Sequence, residues 1–118
     1  MGVDVYATLY QGYILENIEL DDVVEEFLEN EGVQIIYTRF DGSDENDSII
    51  LAINEYDIGG GRAGCSETQD VTDFLLHQEK YFPRDAQSKL DDILSRLPNN
   101  IFEDVQMTFG IFCETHAN

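Results

Sequence analysis

The stretch Val3–Gly32, VDVYATLYQGYILENIELDDVVEEFLENEG, changes its apolar period half-way along and thereby sets the fold class. Val3, Val5, Ala7 and Leu9 alternate with Asp4, Tyr6, Thr8 and Tyr10. Period two in a run rich in Val, Thr and Tyr reads as a β-strand. Gly12 marks a bend or bulge before Tyr13–Leu15. From Ile18 to Glu31 the spacing becomes helical: Leu20, Val23, Val24, Phe27 and Leu28 form one apolar stripe. Asn17 is placed to cap that helix, and Gly32 to end it.

Outward from this β-α pair, Val33–Phe40 is β-branched and aromatic, and reads as a second strand. Asp41–Ser48, DGSDENDS, is a polar turn, and Ile49–Tyr56 a third strand, so the pair forms a hairpin with a long acidic tip. Asp57–Cys65, DIGGGRAGC, reads as a glycine-rich loop. Ser66-x-x-Gln69 fits a capping box ahead of a helix over Thr68–Tyr81, anchored by Val71, Phe74, Leu75 and Phe82. Pro83 interrupts it. Asp85 caps a third helix to about Leu97, with Ala86, Leu90, Ile93, Leu94 and Leu97 inward, and Pro98 ends it. Val105, Met107, Phe109, Ile111 and Cys113 alternate in a last strand, which makes Cys113 a core residue. The order β-α-β-β-α-α-β predicts a single α+β domain over residues 1–118. One four-stranded sheet carries three helices on one face, with a ferredoxin-like arrangement as the candidate.

The chain of 118 residues holds 25 acidic and 6 basic side chains, a formal charge of −19. Its hydrophobic fraction of 42% and its Tyr and Phe content are too high for a disordered acidic tail, so the charge rides on a folded body. No apolar run approaches the roughly 18 residues of a membrane span. The start, Met1-Gly2-Val3-Asp4-Val5-Tyr6, lacks the basic and apolar regions of a signal peptide. A soluble, cytoplasmic protein is expected, and an anionic membrane would repel it. Cys65 and Cys113 accordingly read as reduced thiols.

Motifs for chemistry are sparse. Gly59-Gly60-Gly61-Arg62-Ala63-Gly64 matches G-x-G-x-x-G, but it follows a third strand rather than opening a βαβ unit, and the surrounding charge repels a pyrophosphate. The structural reading is a connector whose glycines take positive φ. Asp41, Asp44, Glu45 and Asp47 resemble a cation cluster, yet counting from Asp41 the bidentate position of a calcium loop is Ala52. Cys65, His77, Cys113 and His116 lack the spacing of a structural zinc site, and nearby carboxylates disfavour a thiolate. No cofactor, no metal and no catalytic activity are expected.

The most ordered acidic array is on the first helix. Asp22, Glu26 and Glu29, and likewise Asp21, Glu25 and Glu29, are related by steps of three and four, which puts neighbouring carboxylates about 5–6 Å apart at Cβ. That spacing is similar to the separation of phosphates along one nucleic-acid strand. Asp21, Asp22, Glu25, Glu26 and Glu29, with Asp41, Asp44, Glu45 and Asp47 at the hairpin tip, are therefore the candidate partner-binding residues. The bland alternative is a solvated helix face or a halophile-like charge excess.

The opening Met1–Ala7 looks like the start of small phage and bacterial proteins, and the size and acidity are similar to phage-encoded DNA-mimic, anti-restriction and anti-CRISPR proteins. That class is defined by surface charge, so the resemblance carries over no residue. It implies an inhibitor that blocks a basic nucleic-acid-binding protein or nuclease complex in a bacterial host cell, with no direct contact to nucleic acid. Two alternatives stand beside it. One is an immunity or antitoxin protein neutralising a basic nuclease toxin; the other is a small ligand-binding or enzymatic domain using Gly59–Cys65.

Overall fold

The computed structural model describes residues 4–16, 18–38, 48–62, 70–98 and 100–117. In chain order the elements are β1 (Asp4–Glu16), α1 (Asp22–Asn30), β2 (Gln34–Thr38), β3 (Ser48–Arg62), α2 (Thr72–Leu76), α3 (Gln78–Tyr81), α4 (Ala86–Ser95) and β4 (Met107–Ala117). The strands form one sheet in the order β2-β3-β1-β4, with every neighbouring pair antiparallel. β1 and β2 thus run parallel with β3 between them, and β3 and β4 run parallel with β1 between them. Each parallel pair is joined by a helical crossover, α1 in the first case and α2 to α4 in the second. Two interleaved split β-α-β units result, compatible with the ferredoxin-like candidate. The α+β class expected from the sequence is the one observed.

The apolar period of the opening stretch explains which residues meet. Tyr13 and Leu15 on β1 and Ile49 and Leu51 on β3 point to one face, where Val24 and Leu28 of α1 and Leu90 and Ile93 of α4 pack on them. Leu15, Leu28, Leu51 and Leu90 are completely buried. Burying such a side chain stabilises by about 1.5–3 kcal/mol. On the opposite face Tyr10, Ile50 and Ala52 form a smaller cluster with Ile14, Ile36 and Phe112. Tyr10 and Tyr13 therefore pack on opposite faces of the sheet.

The glycine-rich segment is not a connector along its whole length. Asp57–Arg62 continues β3, and Gly59, Gly60 and Gly61 pair with Ala7, Tyr6 and Val5. The length of β1 imposes this, because its N-terminal half needs a partner for its backbone groups. Two register shifts place an extra residue on β3, Ile58 opposite Ala7/Thr8 and Ile53 opposite Gln11/Gly12. Gly59 accommodates the first with φ +110°. Gly12 sits at the second, where the sequence marks a bend or bulge. A β-carbon there would stand 1.8 Å from the Leu51 carbonyl oxygen. Ala63–Cys65 and the Ser66–Gln69 capping box lie outside the described residues.

Other expectations are corrected. The helix predicted over Thr68–Tyr81 breaks at His77 (φ −127°, ψ 41°) into α2 and α3. The break lets Phe74 stack on Tyr56 at 4.8 Å while Tyr81 meets the same ring edge-on, also at 4.8 Å. It leaves Leu75, expected as an anchor, 59% exposed. The Asp85 carboxylate makes no cap hydrogen bond and instead pairs with Lys89 at 3.5 Å. Val105 lies before the last strand. Cys113 is exposed rather than core, because β4 is an edge strand. Buried Gln11 ties the corner at Pro83 to the sheet: its Nε2 donates to the Pro83 carbonyl (3.1 Å), and its Oε1 accepts from Asn54 (2.8 Å).

Gly12→Ala is expected to lower the unfolding free energy by about 3 kcal/mol or more, since the clash is with backbone of the neighbouring strand and cannot be relieved by a rotamer change. Urea denaturation followed by circular dichroism measures it; a loss below about 1 kcal/mol is incompatible with this strand approach.

Candidate acidic interface

α1 is shorter than its apolar stripe suggests. It begins at Asp22, and Asp21, not Asn17, is the N-cap: its carboxylate accepts a hydrogen bond from the Val24 N–H at 2.9 Å. Such a cap contributes about 1 kcal/mol, and its charge suits the helix N-terminus. Asn17 lies outside the described residues, while Ile18 and Leu20 pack on the core from outside the helix. At the other end Val33 N–H reaches the Leu28 carbonyl (2.9 Å) and Gly32 N–H the Glu29 carbonyl (3.1 Å), with Gly32 at φ +86°. This is a Schellman closure, and it is why glycine stands there.

With Val24 and Leu28 turned inward, the helical period sends Val23 out to solvent, 77% exposed, against its expected place in the stripe. It also divides the acidic array. Asp22, Glu25 and Glu29 lie toward β2 and act together on one phenol, Tyr37. The Tyr37 hydroxyl donates to Glu25 Oε1. Glu26 is exposed on the outer surface. Of the nine residues singled out from the sequence, the structure therefore assigns Asp21 to a cap and Glu25 to Tyr37, and leaves Asp22, Glu26 and Glu29 exposed. Asp41, Asp44, Glu45 and Asp47 lie outside the described residues. Tyr37 was missed by sequence reasoning. Its signal is an aromatic residue on the strand that immediately follows an acidic helix.

Many other carboxylates have local structural partners. Asp57 accepts from Thr8 Oγ1 at 2.9 Å and Asp91 from the Tyr13 hydroxyl at 2.5 Å. Asp70 accepts from the Thr72 N–H at 2.9 Å, and hydrogen bonding from the Thr72 side chain and then its backbone holds the carboxyl below the usual range. Asp73 accepts from the Tyr81 hydroxyl and lies 3.1 Å from His77 Nδ1, and these contacts lower it likewise. Glu31 meets Arg96 at 2.6 Å, and Asp92 meets the same guanidinium at 3.4 Å. By contrast, among the described residues no hydrogen bond or ion pair holds the side chains of Asp22, Glu26 or Glu29.

Among the described residues, the positive side chains are segregated from this surface. The first basic residue in the chain is Arg39, whereas nine acidic residues precede it. Among the described side chains, the Lys and Arg residues are Lys80, Arg84, Lys89 and Arg96, all on the α3–α4 segment. Arg84 pairs with Glu79 at 2.5 Å, Lys89 with Asp85, and Arg96 with Glu31 and Asp92. Lys80 stands 5.4 Å from the Tyr81 ring centre. The field of the α1–β2 edge is consequently unopposed by any described cation except Arg96 at its C-terminal end.

Among the described residues no group of three or more His, Cys, Asp or Glu is arranged to hold a metal ion. His77 is exposed on α2–α3, and Cys65 lies outside the described residues. A cleft of about 420 Å³ between α4 and β4 is lined by Tyr13, Asp91, Leu94, Leu97, Phe102 and Met107. Its titratable pair, Tyr13 and Asp91, is joined by a hydrogen bond; burial first, and then this bond, raises the phenol above its ordinary value. No helix among the described residues is long and apolar enough to cross a membrane. No protein-family model matches this chain, nor does any curated protein or solved structure.

The Tyr37 phenol is pushed up to about 12, first by burial, then by its hydrogen bond to Glu25 and the charges of Glu25, Glu29 and Asp22. An unfolded tyrosine ionises near 10. The folded state therefore holds this proton more tightly, and the stability it confers is complete below pH 10 and lost as pH rises toward 12. Tyr37→Phe is expected to flatten that alkaline loss without abolishing it, because Tyr10 and Tyr13 are raised too. Urea midpoints across this pH window check it; equal slopes for both proteins contradict the assignment.

Proposed function

We propose that this protein is an acidic inhibitor that occupies the nucleic-acid-binding surface of a basic partner, the carboxylates of α1 standing in for backbone phosphates. The observation that carries the reading is the charge segregation among the described residues: Asp22, Glu26 and Glu29 are exposed at helical spacing on an edge where Arg96 is the one described cation, while the described cations are gathered on the α3–α4 segment and mostly paired. Phosphate contacts dominate nucleic-acid affinity, so a basic groove built for them is the surface this array complements. A field of this sign also raises the association rate with a basic partner. The partner is a protein in this reading; the same field repels nucleic acid and anionic membranes.

The test is capture of basic proteins from a bacterial lysate at low salt, followed by competition between this protein and a labelled DNA duplex for the captured protein. Displacement of the duplex, weakening steeply with added salt, is expected. Asp22→Asn, Glu26→Gln and Glu29→Gln together should weaken binding about tenfold, from about 0.5 kcal/mol for each exposed charge. Removing like charges at these steps leaves the fold intact or slightly more stable. Binding that ignores salt, or a triple variant that competes as well as the natural protein, overturns the reading.

A further inference from the structure

We propose that β4 is a self-association edge: two copies pair β4 antiparallel to β4 about a two-fold axis at Ile111, joining their sheets into one of eight strands. The sheet has two edges, and they differ in chemistry. β2 is five residues long and lies beside the acidic helix. Shortness and neighbouring charge are common protections of an edge. β4 has neither. It runs for eleven residues, and its register with β1 is unbroken from Val5↔Ala117 to Leu15↔Met107. It contains no proline, lysine or arginine, and Glu114 is its one acid. The nine residues Val105–Cys113 carry no charge in a chain where 26% of residues are charged. The central strand β1 has the same composition over Val5–Leu15. β4 thus has the make-up of an interior strand and the position of an outer one. Ile111 is 52% exposed on it, and Cys113 is exposed beside it.

Charge selects the occupant. A neutral edge offers nothing to a basic partner, whereas a two-fold pairing makes one surface complementary to itself. Strand order puts β2 and α1 three strand spacings away from β4. In the paired sheet the two acidic edges stand about 34 Å apart, several times the Debye length at physiological salt. The axis at Ile111 follows from the side chains. It sets Ile111 against Ile111 of the second copy and Phe109 against Cys113 on the helix-bearing face. On the other face Phe112 lies against Gly110, whose bare backbone already meets a Phe112 ring within the chain, and aromatic cover of a strand glycine is a known stabiliser. Glu114 falls opposite Thr108, so the two Glu114 side chains are kept apart. This inference is independent of the inhibitory reading, since α1 stays exposed in the dimer.

Sedimentation of the full chain over a concentration series tests it. In about 1 M sodium chloride, where the Debye length is about 3 Å, the mass is expected to move from 13.4 kDa to twice that value, and dilution into low salt to reverse it. Ile111→Lys, at an exposed position and checked by circular dichroism, should weaken dimerisation at least about tenfold. For the register, Ile111→Cys in a Cys65→Ser, Cys113→Ser background should oxidise to a covalent dimer, because directly opposed residues fall within disulfide reach. Thr115→Cys in the same background should not, its opposite residue being Met107. A monomer at every concentration, assembly beyond two chains, undiminished dimerisation of Ile111→Lys, or equal cross-linking at Thr115 each overturns the proposal.

Discussion

The pairing of β1 with β3 is the constraint on which the rest depends. β1 is central, bonded on both sides over nearly its whole length, and uncharged from Val5 to Leu15. A chain of charge −19 needs some surface from which its carboxylates are kept away, because an ionised group buried without a partner is costly. That surface is the face where Tyr13 and Leu15 meet Ile49 and Leu51. The approach of the two strands at Gly12 is so close that no side chain fits. Both bulges lie on β3, so the partner strand bends to follow β1.

From that ladder the charge distribution follows. Two helical crossovers cover one face, and each must turn an apolar stripe to the sheet. α1 does so with Val24 and Leu28, which leaves its acids to the rim and the solvent. α4 does so with Leu90 and Ile93, and Arg96 at its C-terminal end pairs with Glu31 across the gap to α1 and with Asp92 one turn back. The sheet's outer strands inherit opposite characters: β2 lies against an acidic helix, and β4 is almost neutral. Acids also line α2–α4, where the described cations pair with several of them; the contrast lies between the two outer strands.

Much of the secondary structure was legible from local pattern. The period change at Glu16–Ile18, the hairpin of β2 and β3, Gly32 as helix terminator and the inward set Ala86, Leu90 and Ile93 all follow from spacing. The misreadings share a cause. Gly59–Arg62 has poor strand propensity and became strand because β1 extends past it and Tyr6 lies over Gly60. The break at His77 was illegible because the sequence there suits a helix, and only the packing of Phe74 and Tyr81 on one Tyr56 ring requires the turn. For the acidic array, the identity and spacing of the acids were readable. Which one caps, which one grips Tyr37 and which stay open were not, since these depend on where the helix starts and which strand lies beside it.

The sequence by itself determined that this is a folded acidic α+β chain, where its apolar stripes lie and which helix carries the densest acids. Those properties reside in composition and short-range period. Only the tertiary structure decided that α1 lies by β2, that Tyr37 donates to Glu25, and that the nearly uncharged strand Met107–Ala117 is an outer one. The physical reason is that strand order is set by backbone hydrogen bonds between residues far apart in the chain. β1 pairs with partners about fifty and a hundred positions away, and no local pattern records which edge a strand will occupy.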